Sequence, residues 1–359
     1  MKIFIWGTGK IAERTCRECE TLSSYEVLGF IDNDSKKAGN KFFGYEIYTP
    51  EVLNDITPDV IVVLSDAFDV IKRQIRKEFN HYTGSIQNKK YFYKEALLKR
   101  YMNTQEEEIK DVIKYIKRYD LHIFNYDFAK KYKNFKCEVF FDDRKKMFYV
   151  MHVGKKMFFP RRFKTEQEVE RYYRSIMLEQ DKDSPHNYFS DSCRVKNGDV
   201  VVDAGVAEGN FSLEIVDRAS KIYLIEADEQ WVEALQYTFE DYKDKIKIIC
   251  GYLSSYSDGN HIALDDVIDQ PVNFIKMDIE GNEWDALNGA IELVRRSQNL
   301  RLSICSYHRD VDQELIESFM RKNEIQYEHS KGYMWFPYTL GRGYVTTKLT
   351  RGVIRGKKE

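Results

Sequence analysis

Short apolar runs alternate with amphipathic stretches along most of the chain, and the alternation starts twice. In the first round KIFIW (2–6), VLGFI (27–31) and VIVVL (60–64) read as buried strands. GTGKIA (7–12) reads as a glycine turn opening a helix, and FDVIKRQIRKEF (68–79) as a second helix. In the second round strands are predicted near 199–203, 222–226, 246–250, 272–278 and 301–307. Helices are predicted near 209–219, 229–241, 283–296 and 311–322. After 323 the rhythm changes to YEHSKGYMWF and GRGYVTTKL, two strands expected to pair antiparallel. The fold class is therefore α/β, with two Rossmann-like units, the C-terminal one ending in an antiparallel hairpin. Between them Ile109, Val112, Ile113 and Ile116 recur on one helical face. CEVFFDDRKKMFYVM (137–151) predicts a hairpin turning at Asp142–Lys146, and a helix follows near 166–180. Three segments result: a small Rossmann-like domain (1–95), a helical connector with a β-hairpin (96–184) and a second α/β domain (185–359).

Each round carries a glycine turn where a nucleotide would sit. In VVDAGVAEG the strand ends in Asp203, and Gly205 and Gly209 follow. The next strand, IYLIEAD, ends in Glu226. Glycines let backbone approach a ligand, and an acid ending strand two can take ribose hydroxyls. The turn opens with an acid where dinucleotide enzymes have glycine. That suits a ligand with a ribose and an amino-acid end but no pyrophosphate, namely S-adenosyl-L-methionine. In the first round Gly7, Gly9 and Ala12 form the turn and Asp32 lies on the second strand. This arrangement suits a nucleotide or nucleotide-sugar, and equally a unit that only packs or forms a homodimer.

The ordered set DAGVAEG, LIEAD, IKMDIEGNEWDALNGA and SYH (306–308) resembles the FkbM-type S-adenosylmethionine-dependent methyltransferases over about residues 185–348. Val206 and Ala207 stand where that turn more often carries Ala-Asn. The resemblance implies a class I methyltransferase sheet, S-adenosylmethionine as methyl donor, and a histidine, His308, after the last parallel strand. GTGKIA and GFIDND are similar to the N-terminal domain of bacterial sugar O-acyltransferases. Together the two resemblances imply O-methylation of a sugar hydroxyl in bacterial surface polysaccharide or glycan biosynthesis. An amine or lipid acceptor, or a non-catalytic nucleotide- or partner-binding scaffold, are the alternatives.

Asp203, Glu226, Asp278 and His308 fall at predicted strand ends, where open α/β sheets bind ligands, and Glu280 follows closely. The expected cofactor contacts are Asp203, Gly205, Gly209, Glu226, Asp278 and Tyr188, the last as an aromatic cover. The expected catalytic set is His308, Asp278, Glu280 and Lys276. Either His308 is a general base tuned by the carboxylates, or Asp278, Glu280 and His308 bind a divalent cation such as magnesium that acidifies the acceptor hydroxyl.

Charge and cysteine content narrow the partners. With 56 basic and 58 acidic residues there is no basic field, so nucleic acid is not expected. The six cysteines are scattered, which reads as free thiols in a reducing compartment; Cys16 and Cys19 lack the second pair a zinc site needs. No apolar run approaches the ~20 residues of a membrane span, and the chain opens straight into a strand. A cytoplasmic protein acting on a small molecule or glycan is expected. The Lys155-Lys156 and Arg161-Arg162 pairs, set among phenylalanines, read either as a grip for an acidic group or as a basic edge on an aromatic cluster.

Overall fold

The computed structural model describes residues 1–19, 22–337 and 347–359. The chain divides into two compact units, the first running from Met1 to Asn125 with a short later stretch that includes Trp335. Its sheet is centred on Lys2–Trp6, which pairs in parallel with Glu26–Ile31 on one side and Val60–Val63 on the other. Tyr45–Tyr48 and Ser85–Asn88 extend it in parallel, and Lys41–Phe42 adds an antiparallel edge. Ile3, Phe4, Ile5 and Ile61 are wholly buried, as runs covered on both faces must be. In helix Glu107–Arg118 the predicted face is the buried one: Ile109, Val112, Ile113 and Ile116. Cys16 and Cys19 lie buried on helix Lys10–Cys19, and burial pushes the Cys16 thiol up to about 12.

The second unit is built on seven strands: β1 (Val200–Ala204), β2 (Lys221–Glu226), β3 (Ile246–Cys250), β4 (Phe274–Met277), β5 (Arg301–Cys305), β6 (Gln326–His329) and β7 (Val353–Lys357). Their order is β3-β2-β1-β4-β5-β7-β6, and β7 runs antiparallel to both neighbours. Successive crossovers turn opposite ways between β1 and β4, so a crevice opens at their carboxyl ends. Every residue of β4 and β5 is buried, Lys276, Arg301 and Ser303 included.

Three expectations shift. The final antiparallel strand is Val353–Lys357; GRGYVTTKL lies largely outside the described residues. The helix expected at 283–296 is two, Glu283–Asn288 and Ile291–Arg296. The break falls at Gly289, where a Cβ would sit 2.2 Å from the Ser254 carbonyl oxygen. The hairpin Val139–Asp142/Met147–His152 gains a third strand, Lys155–Phe158, after a tight turn at Val153-Gly154.

The basic residues that follow have partners inside the unit. Lys155 pairs with Asp217 at 2.7 Å and Arg161 with Glu233 at 2.8 Å. Arg162 pairs with Asp228 and stacks 5.3 Å over Trp231. That makes them the edge of an aromatic cluster. No described helix is long and apolar enough to cross a membrane.

Candidate active site

The loop after β1 is pressed against the loop after β4. Gly205 has φ +72°, and a Cβ there would lie 1.7 Å from the Asp278 carbonyl oxygen, so only glycine fits. Ala207 (φ +45°) and Glu280 (φ +57°) hold the left-handed conformation without being glycine, one in each loop. Backbone strain of this kind collects at binding sites. The Glu226 carboxylate spans the turn, accepting the Ala207 N–H at 2.8 Å and the Asp228 N–H at 2.8 Å.

Asp203 and Lys276 lie beneath this turn and do not face the crevice. Asp203 is wholly buried; it accepts the Ser212 hydroxyl at 2.7 Å and pairs with Lys276 at 3.1 Å. Lys276 also donates to the Gly205 carbonyl at 2.5 Å. Parallel register explains the pairing, since Asp203 and Lys276 are cross-strand neighbours on β1 and β4. The catalytic and cofactor-contact roles expected of these two residues become support of the turn from below, because a buried carboxylate needs its counter-charge next to it.

Asp278 is the hub of the crevice. Its Oδ2 accepts the Tyr188 hydroxyl at 2.7 Å and lies 3.6 Å from His186 Nε2; its Oδ1 lies 3.4 Å from His308 Nε2. Burial pushes the Asp278 carboxyl up, but His308, His186, Lys276 and the Tyr188 hydroxyl outweigh it and hold it at about 2. His308 is 0% exposed, and its Nδ1 lies 3.0 Å from Glu283 Oε1. Burial pushes His308 down; the Glu283 bond and the charges of Asp278, Glu283 and Glu280 more than reverse this, to about 9. At neutral pH it is therefore a buried imidazolium between two carboxylates, placed to hold Asp278 rather than to accept a proton.

His186 is the opposite case. Gln180 accepts the Tyr188 N–H at Oε1 (3.2 Å), which turns its amide nitrogen toward His186 Nδ1 at 3.1 Å. The imidazole hydrogen then sits on Nε2 and points at the Tyr307 oxygen, 2.8 Å away. Burial takes His186 down to about 4, so it stays neutral.

Glu280 projects outward, its side chain 79% exposed, 3.7 Å from His308. Among the described residues Asp278, Glu283 and His308 bring donor atoms within 4.8 Å of one another. The His308 ring lies between the two carboxylates with one nitrogen toward each, Nε2 3.4 Å from Asp278 and Nδ1 3.0 Å from Glu283, which is an ion-paired row and not a cage for one ion. The magnesium expectation gains no support from this geometry.

In the first unit the Gly7 turn (φ +116°) packs on the Leu64 carbonyl. Gly9 has open space around it. Asp32 is engaged internally by the Thr8 N–H and hydroxyl, by Lys37 at 2.9 Å and by the Asp34 N–H at 3.0 Å. Burial raises the Asp32 carboxyl, and these bonds together bring it below its ordinary range.

The sequence reading missed His186, Glu283 and Tyr307. Only proximity in sequence pointed to them: His186 two residues before Tyr188, Glu283 five after Asp278, Tyr307 inside SYH.

A seven-stranded sheet with one antiparallel strand, and a carboxylate-lined crevice at its switch point, define a Rossmann-type ligand-binding domain. Residues 151–345 match the FkbM methyltransferase domain, and the chain belongs to that family; it is an S-adenosylmethionine-dependent methyltransferase. Residues 1–92 match the C2185-like N-terminal family. No curated protein matches the chain.

Among solved structures, an FkbM methyltransferase from Methylobacillus flagellatus KT is 16% identical, with a TM-score of 0.42, covering 99% of this chain and 89% of its own. A precorrin-6y C5,15-methyltransferase from Geobacter metallireducens GS-15 is 13% identical, with a TM-score of 0.33, covering 47% and 85%. An rRNA methylase from Streptococcus thermophilus is 16% identical, with a TM-score of 0.31, covering 46% and 89%. The family match, not these distant likenesses, assigns the class.

Proposed function

We propose that the enzyme methylates a hydroxyl of a sugar in the building of a bacterial surface polysaccharide or glycan, in the cytoplasm. The observation that carries the transfer chemistry is the Gly205–Asp278 contact. It sets a strained glycine turn, the Glu226 carboxylate and the Asp278 hub around one crevice.

These residues fit S-adenosylmethionine. Glu226 stands at the end of β2, where ribose hydroxyls are taken, and the Gly205–Gly209 turn brings bare backbone to the ligand. The cofactor, when bound, supplies a methyl group already activated on a sulfonium. The chain's own task is to align an oxygen nucleophile and manage its proton. Asp278, ionised and fixed by Tyr188 and His308, accepts a hydrogen bond and so orients the acceptor or the donor's ammonium. His308 keeps that carboxylate ionised and still.

The sugar acceptor rests on the likeness of GTGKIA and GFIDND to sugar O-acyltransferase N-terminal domains. The first unit, with its Gly7, Gly9 and Asp32 turn, is then the place for a nucleotide-sugar. A second reading has its own support. The surplus of carboxylates around Asp278 would also favour a cationic amine acceptor.

The test is calorimetry followed by an acceptor panel. S-adenosylhomocysteine should bind with micromolar-class affinity, on the order of −8 kcal/mol, and NAD should not. Product formation from sugar hydroxyls but not from amines or lipids would support the acceptor. Tight NAD binding without S-adenosylhomocysteine binding would sink the reading.

A further inference from the structure

We propose that Glu179 is the group that removes the acceptor's proton, and that a cationic methyl donor entering the crevice readies it to do so. This rests on the methyltransferase reading above.

Glu179 ends helix Glu166–Glu179, which lies before the methyltransferase sheet in sequence. Its face is fixed by Tyr172, whose hydroxyl donates to Glu208 at 3.2 Å on the glycine turn. Seven residues on, Glu179 returns to nearly the same angular position, so the two share one face of the helix. The helix end is tied to the crevice wall. Gln180 bonds Tyr188 and His186, and Asn187 donates to the Gln180 carbonyl at 2.7 Å. Tyr188 and His186 both border Asp278.

Glu179 itself has no hydrogen bond or ion pair among the described residues, and it is half-buried. The other described carboxyls of the crevice differ, and Glu280 already lies 3.7 Å from His308. Asp278 is held by three neighbours and is too acidic to take a proton; Glu283 is wholly buried against His308; Glu208 is 7% exposed and holds Tyr172.

The groups that act on Glu179 come from every neighbouring element. They are Asp278 and Glu280 after β4 and Glu208 after β1; Glu179 in turn acts on Tyr307 after β5 and on Tyr172 of its own helix. Burial, then repulsion from Asp278, Glu208 and Glu280, raises the Glu179 carboxyl to about 8. Without a cation beside it, it therefore keeps its proton at neutral pH. A sulfonium beside this anionic group favours ionisation and drives that proton to solvent.

The acceptor hydroxyl then gives its proton to a Glu179 oxygen. The freed electron pair on the acceptor oxygen forms the bond to the methyl carbon, and the carbon–sulfur pair stays on sulfur. The products are the methyl ether and neutral S-adenosylhomocysteine. The proton on Glu179 passes to water.

The experiment is calorimetry at pH 7.2 in two buffers of different ionisation enthalpy, with S-adenosylmethionine and with S-adenosylhomocysteine, on the wild type and on Glu179→Gln, Glu179→Asp and Glu208→Gln. S-adenosylmethionine should release more protons than S-adenosylhomocysteine from the wild type, and this difference should vanish in Glu179→Gln alone. Turnover should fall about 10²–10⁴-fold in Glu179→Gln, with S-adenosylhomocysteine affinity kept, and recover in part in Glu179→Asp. If Glu179→Gln binds and turns over as the wild type does, or if the proton release disappears in Glu208→Gln instead, the proposal is overturned while the methyltransferase reading stands. If the wild type binds neither compound, both fall.

Discussion

The α-carbon of Gly205 faces the carbonyl oxygen of Asp278 so closely that a methyl group there would come within 1.7 Å of it. Gly205→Ala should therefore push the two loops apart. It should lower stability by about 2–4 kcal/mol, through overpacking and the disfavoured φ, and abolish S-adenosylhomocysteine binding. Gly9→Ala, whose new methyl meets nothing within 4 Å, should change stability by less than about 0.5 kcal/mol. Thermal unfolding of the two variants side by side checks this; equal losses would contradict it.

Lys276→Met should cost about 3–5 kcal/mol, because Asp203 would be left as a buried charge with only the Ser212 hydroxyl. Adding Asp203→Asn to Lys276→Met should restore a large part of that loss. Urea unfolding of the four members of this cycle measures the coupling, and simple additivity would show that the pair does not act as a unit.

The His308 value of about 9 lies above its unfolded value near 6.5. Its stabilising contribution is therefore complete below about pH 6.5 and is lost as pH rises through about 9. Asp278, held at about 2, acts in the opposite sense: its contribution is present above about pH 3.9 and is lost as pH falls toward 2. His308→Gln should flatten the alkaline limb, on the order of 3 kcal/mol between pH 6.5 and 9. Denaturant midpoints across that range decide the matter. An unchanged slope in the variant would mean that His308 is neutral in the folded protein.

Glu226→Ala should weaken S-adenosylhomocysteine by about 1.5–3 kcal/mol, since a charge-assisted bond to the ribose is removed. It also releases the Ala207 and Asp228 N–H groups that Glu226 now holds. Titration calorimetry should show the loss mainly in enthalpy. Binding as tight as in the wild type would assign the carboxylate to holding the turn alone.

Periodicity alone located β1 to β5 of the second sheet to within a few residues, because mostly apolar runs alternate with amphipathic stretches and glycine turns punctuate them. It also found Glu226 and Asp278, since an acid at the end of such a run is conspicuous. What it missed depends on register and on distant loops. That Asp203 pairs with Lys276 follows from β1 lying beside β4, with 72 intervening residues. That His308 is cationic follows from Glu283, which looked like one more acid at the start of a helix. His186 and Glu179 precede the first strand of the second sheet. Polar residues in a loop and at a helix end carry no periodic signal, so only the folded chain reveals which way they face.

Glu283 opens the helix after β4, and His308 lies in the loop after β5, so the pair at 3.0 Å is split between two successive connections. Grafting from a relative would have to respect that split. A loop exchanged alone would bring half of a buried ion pair into a host that lacks the other half, leaving a stranded charge in a sealed site. Chimeras that alter acceptor choice should therefore be cut so that residues 278–283 and 305–308 travel together.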